Sequence, residues 1–285
     1  MRKLLRYDMQ SFSKLWWIAT IAVGGFFAIA TVCMRGLMWL DSYEITVSMP
    51  AWEVPLRIVC ILGLIISLFA STAYFVLVIV FIIRRFYTHL YSDQGYLTFT
   101  LPVKRSQIFG AKLAMGWIYY TAAQLVFAVG FFLFLLIGTA EHGFINADIF
   151  TGIGDIFSSL WESLGWRSIV LGFELLVLLC VSNAMTLLFF YTCITMASVL
   201  VKRMKLLLGI GIYYGLTNIF TFILQIFFIL IINTDILMYI SMLEETQIKN
   251  VVLLLVALVT LVVMTVSWVL FRFNVHLMRK KLNLA

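Results

Sequence analysis

Residues 56–83 read LRIVCILGLIISLFASTAYFVLVIVFII. The run holds one charge, Arg57, at its second position; its other polar groups are hydroxyls and a thiol. A transmembrane helix needs about 20 mainly apolar residues to cross about 30 Å of hydrocarbon. At 1.5 Å per residue this run makes about 42 Å of helix. It is therefore predicted to cross the membrane and to continue as a helix on the side of Arg84 and Arg85. Strands of an outer-membrane barrel would alternate apolar and polar residues over about 10 positions, and no such alternation occurs here.

Five further runs have spanning length: about 15–34, 113–138, 168–200, 206–232 and 250–271. The one at 168–200 would be about 50 Å long as a helix, so it must tilt, break or project. The whole chain has 285 residues, of which 64% are hydrophobic and 12% charged, with mean hydropathy +1.08. Soluble domains carry about 45–50% apolar and about 25% charged residues. The expected fold is an all-α integral membrane protein with six transmembrane helices, forming a single transmembrane domain over 1–285. No fixed-period repeat or low-complexity linker divides it.

The basic residues orient the spans. Arg2, Lys3, Arg6 and Lys14 precede the first run, and Arg84, Arg85, Lys104, Arg105 and Lys112 follow the second. Lys202, Arg203 and Lys205 follow the fourth, and Arg272, Arg279, Lys280 and Lys281 follow the sixth. The opposite side keeps only Arg35, Arg57, Arg167 and Lys249, together with most of the acids. Both termini are thus expected in the cytoplasm of a multi-pass plasma-membrane protein. The net charge of +7 reads as an orientation signal and a contact with anionic membrane lipids, not as a nucleic-acid surface. The outer connections, about 35–55, 139–167 and 233–249, are too short for a large external domain.

The basic start resembles a signal peptide. The stretch before the first run is however long, amphipathic and aromatic, and Val32 stands where a lipoprotein site before Cys33 would need a small residue. Residues 1–14 read instead as an interfacial helix, with Leu4, Leu5, Met9, Phe12 and Trp16 on one face. Cys33, Cys60, Cys180 and Cys193 lie in or beside apolar runs without C-x-x-C or histidine spacing. They read as packed residues, and no metal or catalytic site is expected.

The longest cytoplasmic connection, 84–112, reads RRFYTHLYSDQGYLTFTLPVKRSQIFGAK. It mixes aromatic residues with charges, as a docking surface does, since binding energy concentrates on buried aromatic and arginine side chains. Residues 84–94 can extend the second span, Gly95 permits a turn, and 96–100 can form a short helix. Pro102 disfavours helix at Leu101, and Ser106 can cap the next helix.

The order Asp93-x-Gly95-Tyr96-Leu97, then Leu101-Pro102-Val103, Arg105, Ile108, Gly110 and Lys112, resembles type-2 ABC exporter permeases, in the form common in low-GC Gram-positive bacteria. The motif covers about 20 residues; the six-span layout and N-terminal helix extend the resemblance along the chain. It implies that 84–112 carries a cytoplasmic coupling helix between spans 2 and 3, which docks in a groove of a separate ABC ATPase subunit. Tyr96, Leu97, Thr98, Phe99, Thr100 and Leu101 would make that contact, with Asp93, Lys104 and Arg105 at its edges. The chain has no G-x-x-x-x-G-K-[ST] loop. No cofactor is thus expected in it, and ATP and Mg would sit on the partner ATPase. A second membrane subunit, identical or related, is implied as well. The small outer loops suit export of drugs, lipid-active peptides or antimicrobial peptides.

Polar groups at membrane depth are functional candidates. Glu174 is the only acid inside a predicted span. It either lines a substrate exit or binds a cation, or else it is hydrated near the outer surface or paired with a neighbouring helix. In the fifth span Asn218, Thr221 and Gln225 form one stripe, continued by Gly211 and Gly215 as a G-x-x-x-G pair that permits close helix approach. The stripe suits a subunit interface or path, or packing within the chain; the resemblance implies that spans 1 and 5 form the subunit interface. Among rival functions, an intramembrane protease lacks a histidine inside any span. A secondary transporter or channel would work without an ATPase, and a non-transporting anchor or sensor would not need the coupling segment to move substrate.

Overall fold

A computed structural model describes residues 2–44, 52–91, 103–140, 145–201, 204–233 and 245–280. Seven helices account for nearly all of them: α1 (Arg2–Glu44), α2 (Glu53–Tyr91), α3 (Arg105–Gly138), α4 (Asp148–Leu164), α5 (Arg167–Leu200), α6 (Lys205–Asn233) and α7 (Glu245–Lys280). There is no strand among the described residues. Six of the helices, all but α4, are long and apolar enough to cross a membrane. The chain is an all-helical multi-pass membrane protein, as its composition requires.

The helices follow the apolar runs and outlast them. Pro55 sits in the first turn of α2, where a missing N–H costs nothing. The 39 residues of α2 make about 59 Å, so the predicted extension past Arg84 is realised as far as Tyr91. The fourth span does not break: α5 is continuous over 34 residues. α1 likewise runs uninterrupted from Arg2 to Glu44, so residues 2–14 form no separate helix, and Arg35 lies within a helix and not in an outer connection. Nor is Ser106 a cap, because α3 begins at Arg105, and the Lys104 carbonyl accepts the N–H groups of Gln107 (2.8 Å) and Ile108 (3.2 Å). The connection expected at 139–167 contains a whole helix, α4.

The chain falls into two compact units. One comprises Arg2–Ile82 and Ile118–Ser163; the other comprises Ile83–Trp117 and the described residues from Leu164 onward. α2 and α3 each pass from one unit to the other.

In the first unit α1 packs on α2 and α3 through small residues. A Cβ at Gly63 would lie 2.7 Å from Cys33 Sγ, and one at Gly36 would lie 3.1 Å from Cys60 Sγ. Each helix therefore offers a glycine to the other's cysteine, the close approach by which membrane helices gain packing contacts. Gly130 similarly admits the Phe27 ring, 2.5 Å from where its Cβ would be. Phe27, Phe75 and Phe127 extend this core. Phe12 and Trp16, expected on a lipid-facing surface, are buried against Tyr119 of α3, whose hydroxyl donates to the Met9 carbonyl at 2.9 Å. At the far end Arg57 bridges Asp41 (3.0 Å) and Glu53 (3.2 Å). Glu53 is 2% exposed.

In the second unit α5 is the central helix, packed on both α6 and α7. α6 closes on it at Gly209, where a Cβ would come within 3.3 Å of the Ile194 backbone. Tyr213 stacks on Phe190 with ring centroids 4.0 Å apart. Asn274 of α7 donates to Thr192 Oγ1 at 2.7 Å, and the Trp117 indole of α3 donates to the Cys180 carbonyl at 2.8 Å.

Candidate functional site

Of the residues assigned to the ATPase-coupling segment, Asp93, Gly95, Tyr96, Leu97, Thr98, Phe99, Thr100, Leu101 and Pro102 lie outside the described residues. What is described is the base from which they leave and to which they return, and it belongs wholly to the second unit.

The departing flank is the last turn and a half of α2. Phe86 is fully buried and stacks on Tyr191 of α5, centroids 3.7 Å apart and planes 9° from parallel. Phe109, on the returning flank, meets both rings edge-on at 6.0 Å. Tyr91, the final residue of α2, shares a buried 2.7 Å hydrogen bond with Thr195 of α5. The periodicity explains the arrangement: Phe86 and Leu90 are four apart and share one helix face, and both are fully buried.

The returning flank is the start of α3. Lys104 and Arg105 are exposed, and the Arg105 guanidinium donates to the Met278 carbonyl near the end of α7. Ile108 and Lys112, both in the stretch that carries the resemblance, are buried at 1% and 3% exposure. Phe109 also meets Phe271 of α7 at 5.3 Å. Both flanks of residues 92–102 are thus fastened to α5, and the returning flank to α7 as well. Sequence reading missed Phe109, Tyr191 and Thr195 as members of this base; Phe86 and Tyr91 stand there only among the aromatic residues of 84–112.

The membrane-depth candidates are dispersed. Glu174 of α5 is partly exposed, but its Oε2 is buried and accepts no hydrogen bond from the described residues. Asn218, Thr221 and Gln225 lie on the exposed side of α6 and border a shallow depression with Ile219 and Phe222. The Asn218 amide returns to the Tyr214 carbonyl (2.7 Å) and the Thr221 hydroxyl to that of Thr217 (2.9 Å). Among the described residues Gly211 and Gly215 have no atom within 4 Å of a Cβ placed on them, so they do not make the close approach of α6 there; Gly209 does. A cleft of about 480 Å³ opens between α5, α6 and α7, lined by Thr186, Phe189, Tyr213, Phe220 and Val263 among others. No group of three or more metal-ligating side chains occurs among the described residues. No protein-family model, curated protein or solved structure matches this chain.

Proposed function

We propose that the chain is the membrane-spanning permease subunit of an ATP-driven ABC exporter in a bacterial plasma membrane, with both termini cytoplasmic. A separate ATPase subunit docks on residues 96–101. The observation that carries this reading is the base beneath that segment. A force applied to residues 92–102 has to be received by something stiff, and a stacked aromatic cluster closed by buried hydrogen bonds is stiff because packed interiors repack in discrete steps and do not deform continuously. The unbroken helices α2 and α3 then carry the displacement along the second and third spans. ATP and Mg belong to the partner chain, and this subunit has no catalytic role.

The exposed polar stripe Asn218–Thr221–Gln225 supports a second membrane subunit against α6, because amide side chains facing hydrocarbon are costly and tend to find partners across helices. The apolar cleft between α5, α6 and α7 fits a lipid-soluble substrate, in keeping with a drug or a membrane-active peptide. A secondary transporter or channel working without an ATPase is the second reading, and the unpartnered Glu174 oxygen is what favours it.

Co-purification tests the proposal. The tagged chain, extracted in mild detergent, should bring down a soluble ATP-binding protein in stoichiometric amount, and Leu97→Asp with Phe99→Asp should release it. A chain that is stable alone and moves substrate with an ion gradient would replace the proposal with the second reading.

A further inference from the structure

α4 stands between the third and fourth spans and fits neither a span nor a polar linker. Its 17 residues give about 25 Å and include three acids, so it does not cross hydrocarbon. Ile149, Phe150, Ile153, Ile156, Phe157 and Leu160 recur at steps of one, three and four, which gathers them on one face. Asp148, Asp155 and Glu162 recur every seven residues on the opposite face, and no lysine or arginine occurs in the helix. None of its residues is buried; Phe157 is 69% and Ile156 60% exposed.

Local geometry fixes how this helix begins and ends. Asn146 ties the end of α3 to the start of α4. Its side-chain amide donates to the Thr139 carbonyl (3.0 Å) and hydroxyl (3.1 Å), and its Oδ1 accepts the Asp148 N–H (3.0 Å). At the other end Gly165 takes φ +58°, a left-handed turn that glycine adopts without steric cost. Only two residues then separate Leu164 from Arg167. Between these ends the Phe150 ring meets the Phe132 ring edge-on at 6.3 Å. Phe132 lies on α3, six residues and about 9 Å before its last residue, beside the outward-facing Val129 and Leu133. The apolar face of α4 is therefore continuous with the lipid-facing side of the third span.

We propose that α4 is an interfacial helix whose partner is the lipid surface. Its Phe150–Phe157 face sinks into the boundary between headgroups and acyl chains, and Asp148, Asp155 and Glu162 point to water. Interfacial helices commonly carry Lys and Arg and are drawn to anionic lipid. Here the charges are acidic, so the attachment is hydrophobic and persists at high salt. It holds whether or not an ATPase partner exists.

The test uses the full-length chain with Cys33, Cys60, Cys180 and Cys193 replaced by serine, in phosphatidylcholine–phosphatidylglycerol vesicles. A polarity-sensitive fluorophore is placed in turn at Phe157→Cys, Leu160→Cys, Asp155→Cys and Ser158→Cys. The expected result is blue-shifted emission at 157 and 160, quenched by nitroxide-labelled lipid and shielded from iodide, with the reverse at 155 and 158. Equal iodide access at all four positions would overturn the proposal by placing the helix in water. Shielding of 157 and 160 from both quenchers would overturn it by showing that protein, a second copy included, covers the face. The unaltered chain gives an independent reading in the same vesicles: hydroxyl-radical oxidation of Phe157 and Trp161 should be low, and high oxidation would contradict the proposal.

Discussion

Truncating Phe86 to alanine should loosen the base of the proposed coupling segment by an amount the structure sets. The ring is 1% exposed and stacks on Tyr191 at 3.7 Å. Removing a buried phenylalanine from a water-soluble core costs about 3–5 kcal/mol. Part of that is transfer from water, which shrinks here because unfolding within a membrane leaves apolar groups in lipid. The cavity and the lost dispersion contacts remain, together with the pairing preference of aromatic rings, about 0.5–1.5 kcal/mol. The net expectation is about 2–3 kcal/mol for Phe86→Ala, and about 1 kcal/mol for Phe86→Leu, which fills most of the space but loses the stacked ring. Thermal melting in detergent measures the stability change. ATP hydrolysis by the co-purified complex, with and without substrate, measures the coupling change; substrate stimulation should fall in the order wild type, leucine, alanine. An alanine variant that melts like the wild type and keeps full stimulation would refute the idea that this stack braces the segment.

Gly63→Ala should destabilise the first unit by about 1–3 kcal/mol through overpacking, because the new methyl meets Cys33 Sγ at 2.7 Å; Cys33→Ala in the same chain should restore most of the melting temperature. Arg57→Gln should cost about 2 kcal/mol, since it removes the cation beside a carboxyl that is almost wholly buried, and the same substitution made with Glu53→Gln should cost less, as a double-mutant cycle would show. If a second membrane subunit covers α6, disulfide cross-linking between copies through Asn218→Cys should be efficient in membranes and absent through Ile223→Cys, which is also exposed but lies on the opposite side of the helix; equal cross-linking at both would place the interface elsewhere.

The six spans were legible because each is a run of about 20 or more apolar residues, and that signal needs no knowledge of packing. Their ends were less so. α1 continues past Arg35 to Glu44, and α2 past Arg84 to Tyr91, because side chains packed around the termini, and not apolarity, decide where a helix stops. α4 was overlooked although its apolar steps of three and four are plain in residues 149–160. A search for continuous apolar length passes over a period-3.6 pattern interrupted by acids. Phe12 and Trp16 showed the right amphipathic face but the wrong partner, since only the fold reveals Tyr119 behind them. The aromatic base joins Phe86 to Tyr191, and a hydrogen bond joins Thr192 to Asn274, residues far apart in the chain whose meeting has no local signature. Gly211 and Gly215 have the spacing for close approach, but Gly209 makes it within the chain, because spacing marks a face that permits contact without saying which helix arrives.

The central claim is that residues 96–101 meet an ATPase. Site-specific photo-crosslinking in intact membranes tests it most directly, with the reactive side chain placed at Leu97 and, as a control, at Thr72, an exposed position inside the second span. The account predicts an adduct with one soluble ATP-binding protein from position 97 and none from position 72. No such adduct from 97, or the same adduct from both positions, would contradict it.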